Sequence, residues 1–429
     1  MKEKFIKSTI ILMIGGIFTK ILGMISKIFL TRYLGTEGIG IYMLILPSFI
    51  LFLNLASFGF PVSISKMVAS LEKNNKRLIF TSLFFVMFIN ILLIIFIIMF
   101  SKTLAVKLLH NVNCTIPIMS IALVLPFTSV SSIIRSYFFG KEKMIPHILS
   151  NILEDVVRIL LIMILIKKFS YLDLKYQVTL VILINIICEL VSIFILFLFL
   201  PKNFVITKRD IYPSKIYLKE SLSISVPNTM TRLVTSVCYF FEPIILTNTL
   251  HLVGYTSHYI TYEYGIMSGY SIPIVLLPSF FTLAISQALL PVISREYSRK
   301  NYVGAKKKVK LAIFYSLCIG IFFTIIFEIF PKNILKFLYN TTEGHTYIRL
   351  LAPICLLQYI QAPLSSVLDA TDMSKENFVS NTIGSLIRII FLPLFSLLKI
   401  GLYGLILSTS LNIIVVTFMN IYQVKKKLK

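Results

Sequence analysis

The chain has 429 residues, is 57% hydrophobic and carries a formal net charge of +24. A mean hydropathy of +0.88 leaves too little polar surface to cover the molecule in water, which excludes a soluble globular protein and makes the bilayer the solvent. The charge does not point to nucleic acid, because Lys and Arg crowd alternate loops in the pattern that keeps cationic loops in the cytoplasm.

Each membrane-spanning helix needs about 20 apolar residues, and the sequence reads as about twelve such segments: 9–30, 41–65, 79–100, 116–138, 147–167, 177–200, 222–246, 267–293, 311–330, 348–368, 378–398 and 402–423. The expected fold is therefore an all-α polytopic membrane protein. Span one has no Ala-x-Ala cleavage pattern and reads as a retained helix. It carries Gly16, Lys20, Gly23 and Lys27 on one helical stripe. Span two holds Pro47 and ends on Pro61. Arg135 closes span four, where it has the length to snorkel to the headgroups.

Span five holds Asn151, Glu154, Asp155 and Arg158, with the carboxylates four and three residues before the arginine, so an intrahelical ion pair is available. Span six adds Glu189. A basic linker over 201–221 follows, containing Lys202, Lys208, Arg209, Lys215 and Lys219. Span seven lines up Asn228, Arg232, Thr235, Tyr239 and Glu242 on one stripe. The loop 247–264 has no Lys or Arg, and its His251 and His258 read as structural. Span eight contains Pro278 and Pro291; Glu328 and Arg349 lie near the ends of spans nine and ten. Span eleven keeps Asn381 and Arg388 without a carboxylate, and the tail closes on Lys425, Lys426, Lys427 and Lys429. The lysine pattern places both termini in the cytoplasm, with anionic membrane lipid as the natural partner of those cations.

Two echoes run through these segments. Leu46-Pro47-Ser48-Phe49 recurs as Leu277-Pro278-Ser279-Phe280, and Ser150-Asn151 with Arg158 recurs as Ser380-Asn381 with Arg388, an offset of about 230 residues. The chain therefore reads as two parallel six-helix bundles, 1–200 and 222–429, joined by the linker 201–221. Pro47, Pro61, Pro278 and Pro291 are candidate hinges, since proline frees a carbonyl and permits a bend.

Ionisable residues at bilayer depth cost about 2.5–3.5 kcal/mol each and need a reason. Lys20, Lys27, Arg232 and Arg388 are the candidate substrate-binding cations of a central cavity, which would suit an anion. Glu154, Asp155, Arg158, Glu189 and Glu242 are candidates for ion pairing or for coupling. There is no phosphate loop of the Gly-x4-Gly-Lys type, no His-Glu-x-x-His and no Cys-x-x-Cys, so no cofactor or metal is implied, and an enzyme is the weaker reading. The five cysteines show no paired spacing.

The stretches Gly15-Gly16, Lys20-Ile21-Leu22-Gly23, Arg32-Tyr33-Leu34-Gly35, Gly38-Ile39-Gly40-Ile41-Tyr42 and Gly59-Phe60-Pro61-Val62-Ser63-Ile64-Ser65-Lys66 resemble the opening of the stage V sporulation protein B family. Tyr264-Gly265-Ile266-Met267-Ser268-Gly269-Tyr270, Leu277-Pro278 and Ala288-Leu289-Leu290-Pro291-Val292-Ile293-Ser294 resemble the start of its second half. That family sits in the multidrug/oligosaccharidyl-lipid/polysaccharide exporter superfamily. Arg388 stands where the family has lysine, which keeps the charge.

The resemblance implies a V-shaped alternating-access carrier in the plasma membrane, moving a lipid-linked oligosaccharide or peptidoglycan precursor in spore cortex or cell-wall polysaccharide assembly, with cell-wall synthesis enzymes as partners. Two alternatives stay open. One is a cation- or proton-coupled multidrug antiporter of the same superfamily, using Glu154, Asp155, Glu189 and Glu242. The other is a membrane polysaccharide polymerase.

Overall fold

Apolar side chains in a bilayer leave the backbone no water to bond, so each crossing must satisfy its amides internally, and helix is the form that does so within one segment. The computed structural model describes residues 2–70, 75–200 and 207–428, and within them all regular structure is helical. Lys202 of the basic linker and Lys429 of the tail lie outside the described residues.

In chain order the helices are α1 (Lys2–Ser57), α2 (Phe60–Ser70), α3 (Asn75–Lys102), α4 (Thr115–Gly140), α5 (Met144–Leu161), α6 (Leu174–Leu198), α7 (Lys208–Ile211) and α8 (Lys215–Leu252). There follow α9 (Ser257–Gly265), α10 (Ile272–Val275), α11 (Ser279–Ser298), α12 (Tyr302–Ile329), α13 (Pro331–Tyr339), α14 (His345–Ala370), α15 (Ser374–Ser396) and α16 (Tyr403–Lys427).

Among the described residues nine helices are long and apolar enough to cross a membrane, and Ser257–Val275 with Ser279–Ser298 forms one more, bent by 49°. Two further crossings emerge on inspection. The long helical run through α1 is broken at Gly35 (φ 66°, ψ −176°), which separates spans one and two. Residues 144–166 are long enough to cross but carry Glu154, Asp155 and Arg158, so apolarity alone does not mark them. The total then matches the twelve expected from sequence. Large apolar residues face outward, as lipid requires: Phe84, Phe88, Ile91, Leu92, Ile95 and Met99 of α3 are all exposed.

Residues 1–240 form one compact unit and 241–429 a second. The division falls inside α8. Its first half packs on α2 through small hydroxyl residues: Ser225 Oγ donates to Ser63 Oγ at 3.1 Å, and a Cβ on Gly59 (φ 64°) would lie 2.7 Å from the Ser225 carbonyl oxygen. The core of the first unit gathers Phe60, Ile64, Met67, Leu78, Val86, Ile133 and Phe138; that of the second gathers Leu289, Ile293, Val309, Leu364, Val367, Leu368 and Val424.

The repeat recurs in the backbone. Helix α4 starts at Thr115 and α14 at His345; α4 ends at Gly140 and α14 at Ala370, the same 230 residues apart. The left-handed residues that stop the chain obey the same register: His110 (φ 50°) with Asn340 (φ 57°), and Glu142 (φ 58°) with Asp372 (φ 60°). Two helix–link–helix units with matching bounds and matching left-handed links are one fold unit written twice.

The candidate hinges fall into two groups. Pro61 follows the break at Phe58–Gly59, and Pro278 sits at the 49° bend before α11. Pro47 and Pro291 lie inside uninterrupted helix.

Gly35 supplies a direct test of this architecture. A Cβ there meets nothing within 4 Å, so any penalty comes from its φ of +66° alone. Gly35→Ala is expected to cost about 1–3 kcal/mol, the usual price of a side chain in that region. Gly16→Ala, helical and equally uncrowded, is expected to be neutral. Thermal unfolding in detergent separates the two; equal midpoints would refute the break.

Candidate functional site

The ionisable residues of spans four to six converge. Glu154 and Arg158 lie one turn apart on α5, with Asp155 on the same face, Arg135 comes from α4, and Glu189 and Ser192 come from α6. Glu154 accepts a guanidinium on each oxygen, Arg158 Nη2 on Oε1 and Arg135 Nη2 on Oε2. Arg135 Nη2 also donates to Glu189 Oε2 at 2.9 Å and to Ser192 Oγ at 2.7 Å. Arg158 Nη1 donates to Asp155 Oδ1 at 2.6 Å. Both intrahelical pairs that the spacing made available are present, and a third helix is tied in.

Burial explains why the network must close. Glu154 and Glu189 are only 7% and 8% exposed. A carboxylate at that depth, with no water to solvate it, demands a cation and further hydrogen bonds. Arg135, read from sequence as a headgroup-seeking side chain, instead points into the bundle. The signal that finds it is a charge count: spans five and six hold three carboxylates and, away from the span end at Lys167, only Arg158, so a second guanidinium comes from a neighbouring span.

One wall of this network opens on a cavity of about 390 Å³ within the first unit. Lys27, Arg158 and Glu189 line it, with Ser26, Tyr42, Thr128 and Asn185 adding polar edges and Met43, Leu46, Phe49 and Leu53 an apolar side. Arg158 Nε is buried there with no hydrogen-bond partner among the described residues. The lining therefore combines two cations and one carboxylate with a greasy flank. That combination suits an amphiphile whose head is anionic.

The other sequence candidates are placed differently. Lys20 and Arg232 are exposed and do not line this cavity, and neither joins an ion pair among the described residues. Arg388, read as lacking a same-helix partner, has one on another helix: its Nη2 donates to Glu242 Oε2 at 2.8 Å, joining α15 to α8 in the second unit. The lost carboxylates of the repeat have a structural cause. Gly384 and Ser385 occupy the places of Glu154 and Asp155, and a Cβ on Gly384 would lie 2.2 Å from Val416 Cγ2 and 2.9 Å from Asn412 Nδ2. The Val416 and Asn412 side chains of α16 fill the space a side chain at 384 would need, and the carboxylate beside Arg388 comes instead from Glu242 of α8.

Breaking a buried pair from one side leaves an uncompensated charge and costs about 3–5 kcal/mol. Arg135→Met is therefore expected to lower the detergent melting point sharply, and Arg135→Met with Glu189→Leu to recover part of the loss. A double variant no more stable than the single would mean that the two residues are not coupled.

Comparison with known proteins gives the same frame. A family model described as "Polysaccharide biosynthesis protein" matches residues 5–297, and the MatE model matches 264–394. The chain is 30% identical to stage V sporulation protein B of Bacillus subtilis, over 100% of this chain and 85% of that protein. It is 22% identical to the lipid II flippase MurJ of the same organism, over 96% of this chain and 81% of that one. Among solved structures, an inward-facing multidrug resistance MATE family transporter of the MOP superfamily superposes with a TM-score of 0.77 at 15% identity, covering 96% of this chain and 94% of its own. Of these, one is named as a flippase and one as a transporter, and the likeness extends over essentially the whole sequence. This chain is a multi-pass membrane protein that belongs to the polysaccharide biosynthesis protein family.

Proposed function

We propose that the chain is a flippase that moves a lipid-linked, anionic saccharide across the plasma membrane by alternating access, in spore cortex or cell-wall polysaccharide assembly. The observation that carries this reading is the cavity lined by Lys27 and Arg158 at bilayer depth, polar on one side and apolar on the other. A lipid pyrophosphate head meets the two cations, and arginine offers bidentate contact to phosphate oxygens. The apolar flank of Met43, Leu46 and Phe49 accepts the first part of the lipid chain.

In this reading Lys20, Arg232 and Arg388 are secondary cations along the route, with Glu242 holding Arg388 in place. Pro61 and Pro278, each at a helix break, act as hinges, and Pro47 and Pro291 soften the helices that contain them. The two repeats are the moving bundles, with the boundary inside α8 at residues 240–241 in place of the linker 201–221 expected from sequence, and both termini are cytoplasmic. No chemical step is assigned. An inside-negative potential favours outward movement of an anion by about 2.3 kcal/mol per charge per 100 mV, which suffices to drive transport without nucleotide. Cell-wall synthesis enzymes would take up the product.

One observation favours a second reading. Glu189 lines the same cavity, and a carboxylate there suits the cation antiporter of the superfamily. Transport in proteoliposomes separates the two. A labelled polyprenyl-pyrophosphate saccharide is expected to cross faster under an inside-negative potential. Lys27→Ala should slow it about tenfold or more, as loss of 1.4 kcal/mol or more of headgroup binding requires, and Lys27→Arg should retain part of the rate. An unchanged rate in Lys27→Ala would refute the flippase site; proton- or sodium-coupled movement of a cationic dye that stops in Glu189→Gln would establish the antiporter.

A further inference from the structure

The second unit holds a cavity of its own, about 360 Å³, which the headgroup site does not use. Its lining is Tyr262, Glu263, Ile266, the 342–347 segment and Tyr403. It lies where α14 and α16 begin. Helix α16 runs from Tyr403 to Lys427, about 36 Å at 1.5 Å per residue, so the cavity is at the far end from the lysine tail. Lys427 in turn stacks over Tyr297 of α11, 5.5 Å from its ring centre, which fixes that opposite end as the lysine-rich one.

The chemistry of this lining is unlike that of the first cavity. No Lys or Arg contributes to it, although the chain has 42 such residues, so a pyrophosphate has nothing to hold it here. Among the described residues no group of His, Cys, Asp or Glu is arranged to hold a metal ion. What the lining offers instead is aromatic surface bordered by neutral donors and charged acceptors. Tyr262 donates its hydroxyl to Glu343 Oε1 at 2.6 Å, and Tyr347 donates to Glu263 Oε2 at 2.5 Å. These two bonds fix both carboxylates in orientation. Tyr403 packs edge-on to Tyr347 with ring centres 5.5 Å apart and is 39% exposed, so one ring stands open to the cavity mouth.

His345 Nδ1 lies 3.1 Å from the Thr342 carbonyl oxygen, which orients the imidazole at the rim, and the exposed Thr342 and Thr346 add hydroxyls that both donate and accept. Gly344 (φ 85°) ties this rim to the bundle: its carbonyl accepts from Ser271 Oγ at 3.1 Å, and a Cβ there would lie 2.5 Å from that same oxygen.

A rigid, flat apolar face beside several fixed acceptors and mobile hydroxyls matches one ligand chemistry. The C–H face of a sugar ring stacks on an aromatic ring, and its hydroxyls need acceptors and donors around the edge. An organic cation would use the same rings and carboxylates but would leave the Thr342 and Thr346 hydroxyls and the His345 ring at the rim without a role. We propose that this cavity is a glycan subsite that takes a neutral sugar ring, with Tyr403 as the stacking platform and Glu263 and Glu343 as hydroxyl acceptors. As the place where the carried saccharide leaves the protein, it rests on the flippase reading; as a sugar site, it stands by itself.

Saturation-transfer NMR on the full-length chain in detergent tests it, with cellobiose, maltose and chitobiose as probes and inorganic pyrophosphate followed separately by phosphorus line broadening. Saturation is expected to reach the ring C–H protons of at least one disaccharide. Tyr403→Ala and Glu343→Gln should weaken that binding about tenfold, while Tyr403→Phe, which keeps the ring, should leave it unchanged. Tyr403 is exposed and glutamine keeps an acceptor for Tyr262, so both variants are expected to fold; an unchanged melting point checks this.

No transfer to any disaccharide, or transfer indifferent to both variants, would overturn the subsite, as would binding of tetramethylammonium in its place. Disaccharide binding without pyrophosphate binding would support the subsite and remove the headgroup assignment. Pyrophosphate binding without disaccharide binding would do the reverse.

Discussion

A carboxylate or guanidinium at bilayer depth cannot stand alone, and this one constraint organises the first unit. Glu154 is its centre. By accepting a guanidinium on each oxygen it joins α5 to α4, and Arg135 carries the link on to Glu189 of α6. Three helices that apolar packing alone would leave free to slide are held in one register. Such pairs are expensive to assemble and more expensive to break, so they add positional precision more than net stability. The result is that Arg158 is presented to the cavity in a fixed pose, with Lys27 on the facing helix.

The second unit meets the same constraint with fewer parts. It retains the arginine at Arg388 and places a single carboxylate, Glu242, against it. The register of 230 residues relates Arg158 to Arg388, and the side chains of α16 that crowd Gly384 leave no room for a counterpart of Glu154. The repeat is thus conserved in backbone and divergent in charge. Separately from that register, the first unit holds a charged cavity and the second an aromatic cavity with no Lys or Arg in its lining.

Much of this was legible in the sequence because the bilayer simplifies the code. Apolar runs of spanning length gave the helices, and twelve crossings are recovered once Gly35 and the charged α5 are allowed for. The Ser-Asn…Arg echo gave the offset that the helix bounds then repeat. The spacing of Glu154, Asp155 and Arg158 gave the intrahelical pairs. Contacts between distant segments were not legible. Periodicity says which face of a helix a residue occupies but not which helix it meets, so Arg135 was read as a snorkelling residue and the Arg388–Glu242 pair was missed. Lys20 and Arg232 are exposed and stand outside the first-unit cavity. The aromatic cavity escapes for another reason: its residues come from three separated stretches, 262–266, 342–347 and Tyr403, whose meeting no local spacing announces.

The central claim is that Lys27 and Arg158 receive the anionic head of a lipid. The most direct measurement is a cryo-electron microscopy structure of the full-length chain with polyprenyl pyrophosphate bound. The account predicts phosphate density inside the first-unit cavity, within hydrogen-bonding distance of both Lys27 Nζ and the Arg158 guanidinium, with the lipid running along Leu46 and Phe49. Phosphate density elsewhere, with that cavity empty, would contradict it.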